Sequence, residues 1–194
     1  MNRGARRLSI FGDDTDRESF LTRLDEAHET HGIEIHAYAL LTNHFHLLLH
    51  APVETISRSM QLIAGRHAQR HNAKYGLDGP LFRGRYRSKP IETQTHLRRA
   101  VRYIHRNPIA HAPAAAPTAD SLRWTSHGAY AGTETCPEWL SVEPIRQSQF
   151  AGSVLDYRRF VLGAAEAPYE PPAEQWAGPP RAFRMSDILS LIHI

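Results

Sequence analysis

Two adjoining apolar segments, residues 33–42 and 43–51, constrain the fold of this chain more than any other feature. In the first, apolar and polar residues alternate, which is the period of a strand with one buried face. The second, NHFHLLLHA, is a mostly apolar run interrupted by histidines and is typical of a buried strand. Thr42 and Asn43 favour a turn between the two. The pattern therefore predicts an antiparallel hairpin.

Helical periodicity surrounds the predicted hairpin. Residues 14–31 predict a helix that is capped by Asp14, Thr15 or Asp16 and stopped by Gly32. Residues 56–75 predict a second, long helix that breaks at residues 76–80.

A third helix is predicted over residues 95–107, because the residue before Pro108 avoids the helical region. Between the second and third helices, residues 81–92 are predicted to be extended, and Pro90 favours an edge strand. Helices and an antiparallel hairpin together predict an α+β fold.

The second half of the chain has a different character. Residues 112–120 read as a linker, residues 121–132 as a compact segment anchored by Trp124 and Tyr130, and short helices are expected near residues 142–150 and 153–162. The Pro-rich residues 166–180 predict an extended spacer, and residues 182–189 the opening of another helix. The last six residues, 189–194, resemble the translation of a sequencing-library adapter, and we expect them not to be native.

Composition excludes several classes of function. The single cysteine, Cys136, allows no internal disulfide and no cysteine-rich zinc site. No apolar run has the length of a membrane span, and no Gly-rich loop with the GK[ST] ending predicts a nucleotide cofactor. These observations favour a protein of a reducing cytoplasm.

Positive charge is concentrated in one part of the chain. Residues 58–106 hold twelve basic and two acidic residues, a local charge of +10, so the rest of the chain carries −7 within a net charge of +3. Such a block predicts a surface for a polyanion, although a solvated helix face remains the alternative.

His44 and His46 lie two residues apart in the second predicted strand. Side chains at i and i+2 share one face of a strand, so the two imidazoles can bind one metal ion. Two half-buried histidines that bond to backbone are the alternative, since this spacing alone is a weak signal. His50 falls on the same face but further along, and we do not count it as a ligand.

The helix at residues 95–107 strengthens the metal hypothesis. Tyr103 and Asn107 are one turn apart and lie beside its apolar stripe. Asn107 offers a carbonyl oxygen to a metal, and Tyr103 offers a phenol that can attack phosphorus. A divalent ion, a tyrosine and nearby arginines are the groups that phosphodiester cleavage needs. A boundary tyrosine that packs its ring on the core is the alternative.

Three ordered motifs, HAYALLTNHFHLLLH, LFRGRYRSKPIE and LRRAVRYIHRNPIAHA, resemble the single-tyrosine HUH transposases, most closely the REP-associated tyrosine transposase branch. The resemblance runs from about residue 2 to about residue 163. It implies a ferredoxin-like (RRM-like) antiparallel sheet with helices packed on one face, and a C-terminal helical extension.

The resemblance also implies the site. His44 and His46 match the metal ligands, Tyr103 matches the nucleophile, and Asn107 stands where related transposases carry a glutamine ligand. Mg²⁺ or Mn²⁺ is the implied cofactor, and single-stranded or hairpin DNA the partner, cleaved to a 5′-phosphotyrosine and a free 3′-OH. The expected protein is a monomer or homodimer in the bacterial cytoplasm at the nucleoid. The expected DNA-binding residues are Arg66, Arg70, Arg83, Arg85, Arg87, Lys89, Arg99 and Arg106.

By this resemblance, residues 1–110 form the catalytic core, 111–165 an extension of the same domain, and 166–194 a linker with the truncated start of a DNA-binding helix. Relatives begin with a strand before the NRG motif that lies beside the histidine strand, and here we expect that strand to be missing or clipped. Two alternatives stay open: a catalytically inactive, domesticated DNA-binding protein, and a metal-dependent phosphodiesterase.

Overall fold

The computed structural model describes Gly4 and residues 8–110, 122–163 and 187–193. The predicted linkers at residues 112–120 and 166–180 lie outside these residues. Within them, a four-stranded antiparallel sheet packs with seven α-helices, and the last strand along the chain lies between the second and the third. The predicted α+β class is confirmed, while the narrower ferredoxin-like topology stays a prediction.

Helix α1, Asp14–His31, begins one residue earlier than its predicted caps allow. Asp13 is the N-cap: its side chain accepts from the backbone N–H of Asp16, whose carboxylate in turn faces the backbone N–H of Asp13 in a capping box. Gly32 ends the helix with φ +64°, the left-handed conformation that glycine adopts without strain. The cap prediction was therefore wrong by one residue, and the predicted stop is confirmed.

Strands β1, Glu34–Leu41, and β2, His44–Pro52, form the predicted hairpin. Leu41 pairs with His44, so residues 42 and 43 make a two-residue turn. The register shifts between Ile35 and Ala37, where a β-bulge places His36 as the extra residue. Sequence alternation alone does not reveal this bulge.

After β2 the chain forms α2, Val53–Met60, a π-helical turn at Gln61–Gly65, and α3, Arg66–Tyr75. Strand β3, Arg87–Pro90, is exposed along its whole length at the edge of the sheet, as the proline predicts.

Helices cover both faces of the sheet. Phe45 of β2 contacts Phe20 of α1 with ring centroids 4.6 Å apart, whereas its neighbour His46, which points to the other face, contacts Tyr103 of α4. The prediction of helices on one face was wrong. Eight of the nine residues of β2 are buried, and a strand whose successive residues are buried is covered on both faces, because neighbouring side chains point to opposite sides.

Helix α4, Gln94–Ala110, buries the apolar stripe that its periodicity predicts, made of Leu97, Ala100, Val101 and Ile104. It runs through Pro108, so the predicted end at residue 107 was wrong. Pro108 has no N–H to donate to the carbonyl of residue 104, and the helix continues for two further residues without that hydrogen bond.

The short helices α6, Glu143–Phe150, and α7, Val154–Leu162, lie where they were predicted, and a further helix, α5, His127–Ala131, forms within the predicted compact segment. The segment also pairs with the free edge of β1, because the Leu40 N–H donates to the Trp124 carbonyl at 2.9 Å and the Ser141 N–H donates to the Ile35 carbonyl at 2.8 Å. None of the helices among the described residues is long and apolar enough to cross a bilayer.

Strand β4, Asp187–His193, lies between β2 and β3 and pairs antiparallel with both. The predicted opening of a helix in this segment was wrong over these residues. They take the position beside the histidine strand, where the resemblance places a first strand. The inner edge of β2 carries buried N–H and C=O groups that need partners, and an extended apolar segment supplies them.

Candidate active site at the histidine strand

His44 and His46 are both buried on one face of β2. Their ring centroids are 4.9 Å apart, at an interplanar angle of 89°. On the opposite face, Phe45 and Leu47 are fully buried and anchor the strand in the core. Hydrophobic packing on one face therefore holds two imidazoles side by side on the other, as the spacing predicts.

The protonation of His44 is set by its neighbour in the turn. The Asn43 Oδ1 atom lies 2.8 Å from His44 Nδ1, and a carbonyl oxygen can only accept, so Nδ1 carries the proton. The Nε2 atom of His44 then carries the lone pair. A hydrogen bond to one ring nitrogen, with the other nitrogen held as a base, is the arrangement in which proteins present histidine to a metal.

Helix α4 brings Tyr103 to the same place. Its half-buried ring meets the His46 ring edge to face, with centroids 5.1 Å apart. Asn107 lies one turn further along α4 and is 3 % exposed. The structure thus places the predicted nucleophile against one predicted ligand, and the roles of all four residues stay predictions.

A buried polar network anchors α4, and sequence reasoning missed it. His105 contacts Ser126 Oγ through Nε2 at 2.7 Å and the Tyr157 hydroxyl through Nδ1 at 3.1 Å. The same hydroxyl lies 2.6 Å from His127 Nδ1. Burial lowers the pKa of His105 well below its usual value, so the ring is neutral. The network ties the helix that carries Tyr103 to α5 and α7. A histidine two residues after Tyr103 is the only local signal for it.

The predicted DNA-binding residues divide into two groups. Arg66 forms an ion pair with Glu26, and Arg106 donates to the backbone carbonyls of Val161 and Gly163 at 3.0 and 2.7 Å, so both have structural partners. The Tyr86 hydroxyl lies 2.9 Å from Ser57 Oγ and so connects the residue that precedes β3 to α2. The remaining predicted residues are exposed, namely Arg70, Arg83, Arg85, Arg87, Lys89 and Arg99.

A second cluster of potential metal ligands lies at the other end of the hairpin. One ligand atom from each of Glu34, His36 and His50 lies within 4.8 Å of the other two. The sequence analysis did not count His50 because it lies further along β2 than His44 and His46, and the bulge that brings His36 to it is not visible in the sequence. A His/Glu group that could bind a metal is therefore present besides the predicted pair.

Aromatic rings and arginines line a further feature that the sequence did not indicate. The guanidinium of Arg98 lies 4.4 Å from the centroid of the Phe160 ring and 5.3 Å from that of Phe150. These groups border a cleft of about 500 Å³ between α4, α6 and α7, which Arg159 and Asp156 also line.

A buried histidine pair thus lies beside a helical tyrosine in an α+β domain that has a basic exposed edge. The family described as "Transposase IS200 like" matches residues 1–107, and the chain belongs to this family. No curated protein and no solved structure matches the chain. Membership implies that the protein binds DNA and that its activity is of the DNA-cleaving transposase class.

Proposed function

We propose that this protein cleaves and rejoins single-stranded DNA with Tyr103 as the nucleophile and a divalent ion held by His44, His46 and Asn107. The observation that supports the proposal is the contact of the Tyr103 ring with the His46 ring at 5.1 Å. A tyrosine from one helix and a histidine pair from a strand on another part of the chain meet at one point. Packing alone would not need these polar groups together.

The side chains fit such an ion. Two imidazoles and one amide oxygen form a mixed nitrogen and oxygen donor set, and the Asn43 contact leaves His44 Nε2 with its lone pair. When bound, Mg²⁺ or Mn²⁺ supplies positive charge at a non-bridging phosphate oxygen. Imidazole ligands favour Mn²⁺ over Mg²⁺, so we expect Mn²⁺ to support the higher rate.

The proposed reaction conserves the phosphodiester. The Tyr103 oxygen attacks phosphorus, an oxygen–phosphorus bond forms, and the bond to the 3′ oxygen breaks. The phenol loses its proton and the leaving 3′ oxygen takes one up, which gives a 5′-phosphotyrosine and a free 3′-OH. Attack by a 3′-OH on the phosphotyrosine reverses these bonds and joins strands, so no nucleotide cofactor is needed.

The DNA would run along the exposed edge of the sheet. Arg87 and Lys89 alternate along the exposed strand β3, and Arg83 and Arg85 are exposed in the bends just before it, where the predicted extended conformation was wrong. Alternate residues of a strand share a side, so Arg87 and Lys89 can follow one phosphate backbone, with Arg83 and Arg85 exposed next to them. Arg70 and Arg99 are exposed and extend the basic surface, whereas Arg66 and Arg106 have protein partners.

We further propose that the substrate is a strand beside a hairpin, as in the REP-associated branch, and that the protein acts at the bacterial nucleoid. The test is incubation of the full chain with a labelled single-stranded hairpin library and Mn²⁺, followed by a denaturing gel for a protein–DNA adduct.

Tyr103→Phe should abolish the adduct while it changes DNA affinity by less than about threefold, because only the attacking oxygen is removed. Tyr75→Phe is the matched control, since Tyr75 lies on α3 and donates to Asp16. An adduct with Tyr103→Phe at the wild-type rate rejects the nucleophile. Cleavage products without a protein–DNA adduct would indicate a hydrolase. DNA binding without Mn²⁺-dependent nicking would indicate an inactive DNA-binding protein.

A further inference from the structure

Glu34, His36 and His50 form a compact cluster at the end of the hairpin opposite to the His44–His46 pair. Glu34 and His50 are direct cross-strand partners, and the bulge at His36 turns that side chain to the same point. His36 Nε2 lies 3.8 Å from one Glu34 carboxylate oxygen, and His50 Nδ1 lies 3.7 Å from the other. The three potential donors come from two strands, and one ligand atom from each lies within 4.8 Å of the other two.

A hydrogen bond to the backbone sets the orientation of the His36 ring. Its Nδ1 lies 2.8 Å from the Ser141 carbonyl oxygen, which can only accept, so Nδ1 donates its proton there. The Nε2 atom, on the Glu34 side, therefore carries the lone pair. A backbone carbonyl that fixes the tautomer of a buried histidine is a recurring support of metal ligands.

We propose that Glu34, His36 and His50 bind a first-row divalent cation of the Zn²⁺ type, at a site separate from the one proposed for catalysis. Two imidazole nitrogens and one carboxylate oxygen suit Zn²⁺, whereas Mg²⁺ prefers oxygen ligands alone. Zinc–ligand bonds of about 2.0–2.2 Å put tetrahedral donors about 3.4 Å apart. The contacts of the two imidazoles with the Glu34 carboxylate, at 3.7 and 3.8 Å, and the 4.8 Å limit on all donor pairs mean that the cluster contracts around an entering ion.

The exposure of the three side chains differs in a way that suits this site. His36 and His50 are buried, while the Glu34 side chain is 46 % exposed. Glu34 can therefore swing onto an entering ion, and a water molecule can complete the coordination from the solvent side. The two imidazoles form the rigid half of the site and the carboxylate the adjustable half.

The site is distant from the proposed catalytic one. His50 follows His46 by four residues on the same face of β2, a separation of about 13 Å along an extended strand. An ion here joins the first residue of β1 to β2 and, through Ser141, to the segment before α6. Its role is to brace this end of the sheet, and it does not touch the reacting phosphate.

The experiment separates the two sites by mutation. The full chain carrying His44→Ala and His46→Ala is titrated with Zn²⁺ by calorimetry, and with Co²⁺ by visible absorption, which reports the donor set. We expect one equivalent bound and a rise in Tm of at least about 4 °C at saturating Zn²⁺. A double variant that binds no Zn²⁺ overturns the proposal.

Ligand variants are then made in the same background. Glu34→Gln and His50→Asn should each weaken Zn²⁺ binding at least about tenfold and remove the Tm shift. Glu29→Gln, an exposed carboxylate variant on α1, is the matched control and should bind as before. Because Glu34 is half-exposed, its variant folds and decides the result even where His50→Asn does not. Unchanged Zn²⁺ affinity in Glu34→Gln rejects the site. No readout involves DNA, so failure here leaves the proposed function untouched.

Discussion

The two faces of strand β2 have opposite chemistry. Phe45 and Leu47 point to one face, where Phe45 meets Phe20 of α1, whereas His44 and His46 point to the other, where His46 meets Tyr103 of α4. The apolar face contributes free energy of folding, and the histidine face carries the polar groups of the proposed site. Alternation along one strand thus separates stability from chemistry while it keeps the two within one residue of each other.

We expect the largest effect when both imidazoles are removed from the histidine face of β2. His44→Ala with His46→Ala should reduce the rate of DNA cleavage by more than about 10³-fold, because the proposed metal loses its nitrogen ligands. The rate of adduct formation with Mn²⁺ measures this. His31→Ala, on the helix that packs against the other face, is the control and should cleave normally. Cleavage by the double variant within tenfold of wild type would assign the chemistry elsewhere.

A second substitution tests the apolar face of β2. Phe45→Ala should lower the free energy of unfolding by about 3–5 kcal/mol, because the ring is fully buried between Phe20 and Phe82. Urea unfolding followed by circular dichroism measures it. Leu8→Ala, at a residue 61 % exposed, should cost less than about 0.5 kcal/mol. A small effect of Phe45→Ala would mean that the strand is not anchored by this face.

The ionised carboxylate of Asp16, at the start of α1, stabilises the helix that packs on the apolar face of β2. Burial by itself would raise the pKa of Asp16, but hydrogen bonds from Lys74, Tyr75 and the Gly12 N–H outweigh it and hold the pKa at about 2. A depressed carboxyl pKa stabilises the fold above the unfolded value and loses that effect as pH falls through the folded one.

Asp16→Asn should therefore lower the free energy of unfolding at pH 7 by about 2 kcal/mol and flatten its decline between about pH 4 and pH 2. Unfolding curves measured across that pH range provide the test. Glu18→Gln, an exposed carboxylate variant on the same helix, is the control. If Asp16→Asn kept the wild-type acid dependence, another group would be responsible for it.

The smallest effect concerns the exposed arginines. Arg83→Ala, Arg85→Ala and Arg87→Ala should each weaken single-stranded DNA binding modestly and lower the slope of log affinity against log salt by about 0.7. Arg23→Ala, whose guanidinium pairs with Glu26 on α1, should leave the slope unchanged. Binding titrations at several salt concentrations measure both. Equal slopes in all variants would show that the DNA backbone does not contact these arginines.

Local pattern was sufficient for the elements that carry the site. The alternation around Thr42 and Asn43 predicted the hairpin and the shared face of His44 and His46, and the 3.6-residue period predicted the buried side of α4. These features depend on the geometry of one strand or one helix, which neighbouring residues determine. The exact cap of α1 and the passage of α4 through Pro108 were missed, because differences of about 1 kcal/mol at helix ends are decided by surrounding contacts.

By itself, the sequence determined that two imidazoles share one strand face and that Tyr103 and Asn107 share one helix flank. Only the tertiary structure decided that helices cover both faces of the sheet, that Tyr103 meets His46, and that the bulge brings His36 to Glu34 and His50. The physical reason is the distance along the chain over which each constraint acts. Backbone periodicity fixes directions within an element, whereas contacts between elements depend on how buried surfaces and backbone hydrogen bonds are satisfied across the whole fold.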